Sequence, residues 1–294
     1  MMQADKYRVL EDGRLLVDYG PITMSITAKK SNQQDTNAAI VGADKAIKVF
    51  DELVEYLDAA KSRINKIDIN KLSDYPQALK LMIESVKSLN NEEFTPMAAV
   101  AGAMSDIVKE EIINNTYADY VVVNNGGDVA FQKSGDLIRN GVFKVGVISD
   151  ISNKKISHAL EIKTNSNIHG IATSGFGGRS LTRGICSAVT VIAENCRLAD
   201  AAATEIANNT YIDSDKVEVC LAEEIDYDTD IKGLTVVKNV GVLCEDDISK
   251  SISLGMNKAI ELYNRKIIKG AFIFVQNKFN FYPHNAPYFN INEI

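Results

Sequence analysis

Residues 121–131 read VVVNNGGDVAF, and this stretch sets the expected fold at the middle of the chain. A β-branched run followed by two glycines and an aspartate is typical of a buried strand that ends in a tight turn. Gly126 and Gly127 leave the main chain bare, and the carboxylate of Asp128 lies at the edge of the turn. Two interpretations stay open: a hairpin turn in which Asp128 bonds its own backbone, or a wall against which a ligand ring or phosphate lies.

Outward from this turn, short strand-like segments follow one another with turn residues between them. Strand-like segments outnumber helical ones, and several succeed one another as hairpins. This order favours an α+β fold with a largely antiparallel sheet over a doubly wound parallel fold. No GxxxxGK[ST] motif and no strand–GxGxxG–helix unit occurs, so the common nucleotide-binding motifs have no support.

The N-terminal segment from Tyr7 to Lys30 predicts two strands around a turn at Asp12 and Gly13. Apolar spacings of two to four residues then predict a helix from Asp35 to about Arg63. Further helices are expected from Tyr75 to Ser88 and from about Asp246 to Lys266.

Another helix is expected in TPMAAVAGAMSDIV, with Thr95 as its N-cap and Pro96 at its first position. Its alanines and Gly102 would let a second backbone pack very close. Tight helix packing is therefore the expected use of this stretch.

A second glycine-rich stretch, GIATSGFGGRS at residues 170–180, offers hydroxyls, free backbone and one guanidinium. Thr173 and Ser174 supply the hydroxyls, Gly175 frees the backbone, and Arg179 has the fork of donors that suits phosphate or carboxylate. The alternative is a surface loop whose arginine is solvated. His169 precedes this loop and Cys186 follows it.

The segment RLADAAATEIANN predicts a helix on which Asp200 and Thr204, four residues apart, share one face. A carboxylate and a hydroxyl so placed supply two hard oxygen ligands, which suits Mg²⁺ or Ca²⁺. The neighbouring alanines would leave this face close to whatever packs on it.

The composition limits the class of protein and its partners. With 46% hydrophobic and 24% charged residues, the 294-residue chain can bury a sizeable core. Its net charge of −7 and its scattered basic residues argue against nucleic acid as a partner. The N-terminal stretch contains no apolar run of signal-peptide length and no segment is long enough to span a bilayer, so we expect a cytoplasmic protein without a membrane partner. The four cysteines lie ten or more residues apart, so no CxxC pair exists.

Together and in this order, the three stretches resemble the GGD turn, the ATSG loop and the ADA…T helix of the ApbE superfamily. Those proteins are FAD:protein FMN transferases, which cleave FAD and attach FMN to a threonine of a target protein. The resemblance covers most of the chain and is closest to a smaller ApbE-like branch. It implies one ApbE-like domain over residues 1–294, with an α+β fold of two related halves whose largely antiparallel sheets are packed by helices.

The resemblance also implies site residues. Asp200 and Thr204 match the Mg²⁺-binding pair of the transferases. The turn and the loop match the flavin-side elements, which gives as cofactor-binding residues Gly126, Gly127, Asp128, Thr173, Ser174, Gly175 and Arg179, the last as an anion clamp. A histidine-bearing HIIDPRTG-type segment and the lysine of the transferases' GGIAKG helix have no counterpart here.

The expected function is therefore the binding of a flavin nucleotide (FAD or FMN) or another small anionic ligand, with Mg²⁺, between the GGD and ATSG loops. Two alternatives stay open: FMN transfer to a protein threonine, and a role in sulfur incorporation into amino acids that would use Cys186. A protein partner and a homo-oligomer are both compatible with these expectations.

Overall fold

The computed structural model describes residues 6–135 and 141–294. Its strands are β1 (Tyr7–Val9), β2 (Leu15–Tyr19), β3 (Ile22–Lys30), β4 (Gln33–Gln34), β5 (Tyr120–Asn125), β6 (Asp128–Lys133), β7 (Val142–Asp150), β8 (Lys155–Lys163), β9 (Gly170–Ser174), β10 (Ala188–Ala193), β11 (Val217–Leu221), β12 (Thr235–Val240), β13 (Gly270–Val275), β14 (Lys278–Tyr282) and β15 (Phe289–Glu293). Its α-helices are α1 (Thr36–Val54), α2 (Leu57–Ala60), α3 (Gln77–Ser88), α4 (Val100–Asn115), α5 (Cys196–Asn208), α6 (Ala222–Ile225) and α7 (Glu245–Asn264).

The fold is α+β with antiparallel strand pairing, as predicted. The main sheet has the order β1-β2-β3-β5-β6-β9-β10-β13-β14, with β4 attached to β3. Each half contributes two strands, then helices, then a hairpin, in the matching orders β2-β3-β5-β6 and β9-β10-β13-β14. The halves share one continuous sheet, and the seam between β6 and β9 is short: it pairs Val129 with Ile171 and Ala130 with Gly170.

Two layers cover this sheet. Helices α1, α3, α4, α5 and α7 pack on one face and form the larger apolar core with strand residues such as Val121, Val191 and Ile273. The small sheet β15-β8-β7 covers the opposite face over β5, β6 and the second half, where Phe131, Phe272 and their neighbours form a second core. Strand β10 is therefore buried along its whole length, which explains its sequence AVTVIA, apolar except for Thr190.

The N-terminal segment and the first helices differ from the sequence prediction in their boundaries. The chain makes a second turn at Gly20 and Pro21, so Tyr7–Lys30 forms three strands rather than two. The helix expected to reach Arg63 ends at Val54, and Asp35 caps its N-terminus by accepting from the Ala38 N–H at 3.0 Å. Helix α3 begins at Gln77 because Tyr75 precedes a proline, which keeps it extended.

The helix expected to start at Pro96 begins instead with a 3₁₀ turn, Pro96–Ala99, and becomes α-helical at Val100. Thr95 does not cap it, because its hydroxyl donates to the carboxylate of Asp230. The predicted close approach is confirmed: a β-carbon on Gly102 would lie 2.5 Å from the carbonyl oxygen of Cys196. Helices α4 and α5 thus touch backbone to backbone. None of the helices in the described ranges is long and apolar enough to cross a membrane.

Candidate functional site

The GGD stretch forms a two-residue hairpin turn between β5 and β6. Asn125 pairs with Asp128, and the turn residues Gly126 and Gly127 have φ angles of +70° and +114°. Positive φ at both positions explains why two glycines stand here. The Gly127 N–H donates to Asn124 Oδ1 at 2.9 Å. The carboxylate of Asp128 does not fold back on this turn but faces the backbone N–H of Thr173 across the seam.

Arg179 lies against this turn. A β-carbon on Gly126 would overlap the Arg179 guanidinium, whereas one on Gly127 would have no atom within 4 Å. The positive charge of Arg179 lowers the pKa of Asp128. The φ angle therefore favours glycine at 126, and the exposed Arg179 guanidinium lies directly over this residue.

The ATSG loop contributes less than the sequence suggests, because Thr173 faces away from the helices. Its hydroxyl lies 2.9 Å from that of Thr190. Ile171 lies two residues before Thr173 on β9, and Ile192 lies two residues after Thr190 on β10. Both isoleucines belong to the core under the small sheet. Because residues two apart on a strand share a face, the two hydroxyls lie on that face as well. Thr173 thus offers only its N–H to Asp128. Ser174 alternates to the helix-covered face, and Gly175, with φ +154°, turns the chain away from it.

Asp200 and Thr204 lie as predicted on one face of α5. In the run from Ala199 to Ala207 they are the two residues that keep solvent contact, while the other seven are buried. The Asp200 Oδ2 atom accepts a hydrogen bond from the Gly102 N–H at 2.9 Å. Helix α5 therefore presents one carboxylate and one hydroxyl toward the end of the seam.

The carboxylates of Asp128 and Asp200 face each other closely enough to interact. Burial raises the pKa of Asp128 to about 7, against the opposing effects of the Thr173 N–H and Arg179. Burial raises the pKa of Asp200 well above its usual value, and the charge of Asp128 raises it further. The structure thus brings together Gly126, Asp128, Arg179 and Asp200, with Thr204 one helical turn farther along α5.

A third carboxylate, Asp106 on α4, was missed by the sequence reasoning. It is fully buried and accepts from the backbone N–H groups of Cys196 and Arg197, both at 3.0 Å. The Arg197 side chain adds a hydrogen bond of 3.1 Å, and the Lys109 ammonium lies 3.6 Å away. The available signal was a single acidic residue within the small and apolar run AVAGAMSDIV.

The other reactive side chains near the loops do not join this cluster. Cys186 is fully buried, which raises its pKa to about 11, so the thiol suspected from the sequence lacks the accessibility and the ionisation of a nucleophile. Arg183 pairs with Glu93 at 2.6 Å rather than with that thiol. Burial lowers the pKa of His169, and its Nδ1 atom has no hydrogen-bond partner among the described residues.

Two cavities in the described parts of the chain lie elsewhere. One of about 650 Å³ is bordered by α1 and by residues 74–76, and one of about 560 Å³ by residues 281–292. Neither is lined by a predicted site residue. Among the described residues, no three His, Cys, Asp or Glu side chains form a group that could hold a metal ion. A metal at the cluster would therefore have two carboxylates, Asp128 and Asp200, and oxygen ligands of other kinds.

Comparison with known proteins identifies the family. Residues 7–281 match the family model described as AbpE bacteria. A UPF0280 protein of Methanopyrus kandleri is 31% identical over 206 residues, which are 68% of this chain and 76% of that protein. A UPF0280 protein of Methanococcus vannielii is 36% identical over 141 residues, 46% of this chain and 52% of that protein. The matched regions thus span between about half and three quarters of these relatives.

Among solved structures, the apo flavinyl transferase ApbE of Pseudomonas stutzeri is 11% identical, with a TM-score of 0.44 over 99% of this chain and 96% of that one. The flavin transferase ApbE of Vibrio cholerae is 12% identical, with a TM-score of 0.41 over 92% and 96%. The family match spans nearly the whole of the described chain, including the GGD turn, the ATSG loop and α5. The chain belongs to the AbpE bacteria family of ApbE-like proteins.

Proposed function

We propose that this protein binds a flavin nucleotide or another phosphorylated anion together with Mg²⁺, at the cluster of Asp128, Asp200 and Thr204. One observation supports the proposal above the others: the two facing carboxylates have no cation paired with them. None of the ion pairs among the described residues includes Asp128, Asp200 or Arg179.

The lack of a paired cation distinguishes Asp128 and Asp200 from Asp106. Asp106 has two cations, Lys109 and Arg197. Among the residues that the structure describes, the Asp128–Asp200 pair has no cation within ion-pair distance, and Arg179 acts on Asp128 from farther away. Two half-buried carboxylates that repel each other are stabilised by a proton or by a cation placed between them. Their oxygens and the Thr204 hydroxyl are the hard ligands that Mg²⁺ prefers, and Mg²⁺ commonly keeps several waters and binds substrate phosphates.

The surroundings suit an anion bound to such a metal. Arg179 is exposed and forms no ion pair with any residue that the structure describes, so its guanidinium is free to donate two hydrogen bonds to phosphate oxygens. The outer face of Gly127 is open, and a planar ring can approach the main chain there. The choice of a flavin follows from the resemblance of the three sequence stretches. When bound, Mg²⁺ would neutralise negative charge on a diphosphate.

The finer expectations remain predictions within this proposal. FMN transfer to a protein threonine is the stricter version, and it lacks the histidine segment and the lysine noted above. A role in sulfur incorporation loses its suspected residue, because the Cys186 thiol is buried and protonated at neutral pH. A single domain over residues 1–294, a cytoplasmic location, a protein partner and a homo-oligomer stay predictions of the sequence.

Calorimetric titration tests the proposal directly. Mg²⁺ or Mn²⁺ should bind at one site, and FMN or FAD should bind more tightly when the metal is present. Asp200→Asn should weaken metal binding by about ten-fold or more, because it removes a charged ligand while an amide oxygen can still accept from Gly102. Glu205→Gln is the matched control, since Glu205 is a buried carboxylate on the same helix that pairs with Lys258. Failure of the parent protein to bind either metal or flavin overturns the proposal.

A further inference from the structure

We propose that Asp106 is a positioning residue for the metal ligands: it fixes the N-terminus of α5 and thereby sets the direction in which Asp200 and Thr204 point. The expected effect on metal binding rests on the proposed function, whereas the hydrogen bonds of Asp106 to α5 do not depend on it. Asp106 accepts hydrogen bonds from the first turn of α5, and its charge also raises the pKa of Asp200, so it would act on the metal through the position of α5 and through this direct charge effect.

The two helices cap each other. Asp106 on α4 accepts from the N–H groups of Cys196 and Arg197, the first two residues of α5. Asp200 on α5 accepts from the N–H of Gly102, in the first turn of α4, and the Ala101 N–H also lowers the pKa of Asp200. The N–H groups of a first helical turn have no partners within their own helix, so each helix supplies what the other lacks.

Neither helix has a complete cap of its own. The N-cap position of α4 is Ala99, which has no side-chain oxygen, so Asp200 substitutes for the missing cap. The N-cap of α5, Asn195, accepts only from the Leu198 N–H at 3.0 Å, which leaves the preceding two N–H groups to Asp106. The Asp106 carboxylate is itself anchored by Lys109, which is only 5% exposed, and by the Arg197 side chain.

The consequence for the site follows from the close packing of the helices. Because Gly102 lies directly on the Cys196 carbonyl, α5 has no free space toward α4. Hydrogen bonds from two successive N–H groups to one carboxylate fix both the rotation and the axial position of the first turn of α5. Asp200 lies on the next turn, with Oδ2 held by the Gly102 N–H and its carboxylate close enough to Asp128 for the two charges to interact. Residues that orient metal ligands in this way commonly change metal affinity ten- to hundred-fold when mutated.

The experiment separates positioning from general stability. Asp106→Asn and the control Glu205→Gln are compared by amide hydrogen exchange, with the Gly102 amide reporting the Asp200 contact and the Ile112 amide reporting the far part of α4. Asp106→Asn should increase exchange of Gly102 relative to Ile112 by about ten-fold or more, and Glu205→Gln should not. Mn²⁺ affinity should fall by about ten-fold in Asp106→Asn and stay within about two-fold in the control.

Each other outcome is decisive. An unchanged exchange ratio in Asp106→Asn overturns the inference, as does an equal loss of Mn²⁺ affinity in both variants. If the parent protein binds no Mn²⁺, the proposed function fails and the exchange ratio alone decides whether Asp106 positions Asp200. If Asp106→Asn does not fold, Lys109→Met replaces it: it keeps the carboxylate but removes its buried cation, and it should shift both readouts in the same direction by a smaller factor.

Discussion

Asp106 and Asp200 each cap the helix on which the other lies, so two carboxylates from distant parts of the sequence share one helix crossing. Their surroundings divide their roles. Asp106 is bound by two N–H groups and two cations, whereas Asp200 accepts from the Gly102 N–H, is repelled by the charge of Asp128 and has no ion-pair partner among the described residues. The uncompensated charge is thus placed at the end of the seam between the halves.

The pKa of Asp128 predicts an unusual pH dependence of stability. Its value of about 7 in the folded protein lies above the ordinary 3.8, so the folded state binds more protons than the unfolded state between these values. Its contribution to stability is full below about pH 4 and is lost as the pH rises toward 7. In metal-free buffer, Asp128→Asn should therefore gain in free energy of unfolding relative to the parent as the pH rises from 4 to 8.

Urea unfolding at several pH values measures this difference, with Asp18→Asn as a control for an exposed carboxylate. Added Mg²⁺ should stabilise the parent more at pH 8 than at pH 5, because protons compete with the metal. A difference between Asp128→Asn and the parent that stays constant from pH 4 to 8 would contradict the raised pKa.

Arg179→Met should separate anion binding from metal binding. Loss of the guanidinium removes charged hydrogen bonds to the anion, so the affinity for FMN or pyrophosphate in the presence of Mg²⁺ should fall by about ten-fold or more. Mn²⁺ alone should bind at least as tightly as in the parent, because a positive charge near Asp128 is gone. Arg14→Met is the matched control, since Arg14 pairs with Asp12 in the N-terminal hairpin. Equal anion affinity in parent and variant would remove Arg179 from the site.

Gly102→Ala should destabilise the protein by about 1–3 kcal/mol, as expected when a methyl group is forced into a packed interior. The added carbon would lie 2.5 Å from the Cys196 carbonyl oxygen and 2.8 Å from the Arg197 Cα, both backbone atoms that cannot rotate away. Gly241→Ala is the control, because its nearest neighbour would be 3.4 Å away and its φ is not positive. Chemical denaturation of both variants checks the prediction, and equal stability of the two would be inconsistent with the close helix crossing.

Thiol labelling should distinguish the cysteines by burial. Cys244 is exposed, whereas Cys186 and Cys196 are fully buried with pKa values raised mainly by that burial. With a disulfide reagent at pH 8, Cys244→Ser should remove the fast phase of labelling, and Cys186→Ser should leave it intact. Loss of the fast phase in Cys186→Ser would instead show a reactive thiol beside the glycine loop.

Features that depend on neighbouring residues were predictable from the sequence. The hairpin at Gly126–Gly127 follows from local φ requirements, and the shared face of Asp200 and Thr204 follows from helical periodicity. The antiparallel class followed from the succession of hairpins, because short connections leave little choice of pairing.

Features that depend on distant partners were not predictable. Thr95 looks like an N-cap, but its hydroxyl is bound by Asp230, 135 residues away. The Thr173 hydroxyl points away from the site because strand alternation places it under the small sheet, which no local pattern reveals. Asp106 stands within an ordinary apolar helix, and its partners lie 90 and 91 residues farther along the chain.

Because α4 and α5 cap each other, neither half of the chain is complete without the other. Helix α4 belongs to the first half and α5 to the second, and each begins with N–H groups that only the other half satisfies, over separations of 90 to 98 residues. A half-chain made alone would expose an open helix end and the bare backbone at Gly102 to water. Each half thus completes a helix end of the other, and an exchange of one half between relatives would need to keep both carboxylates.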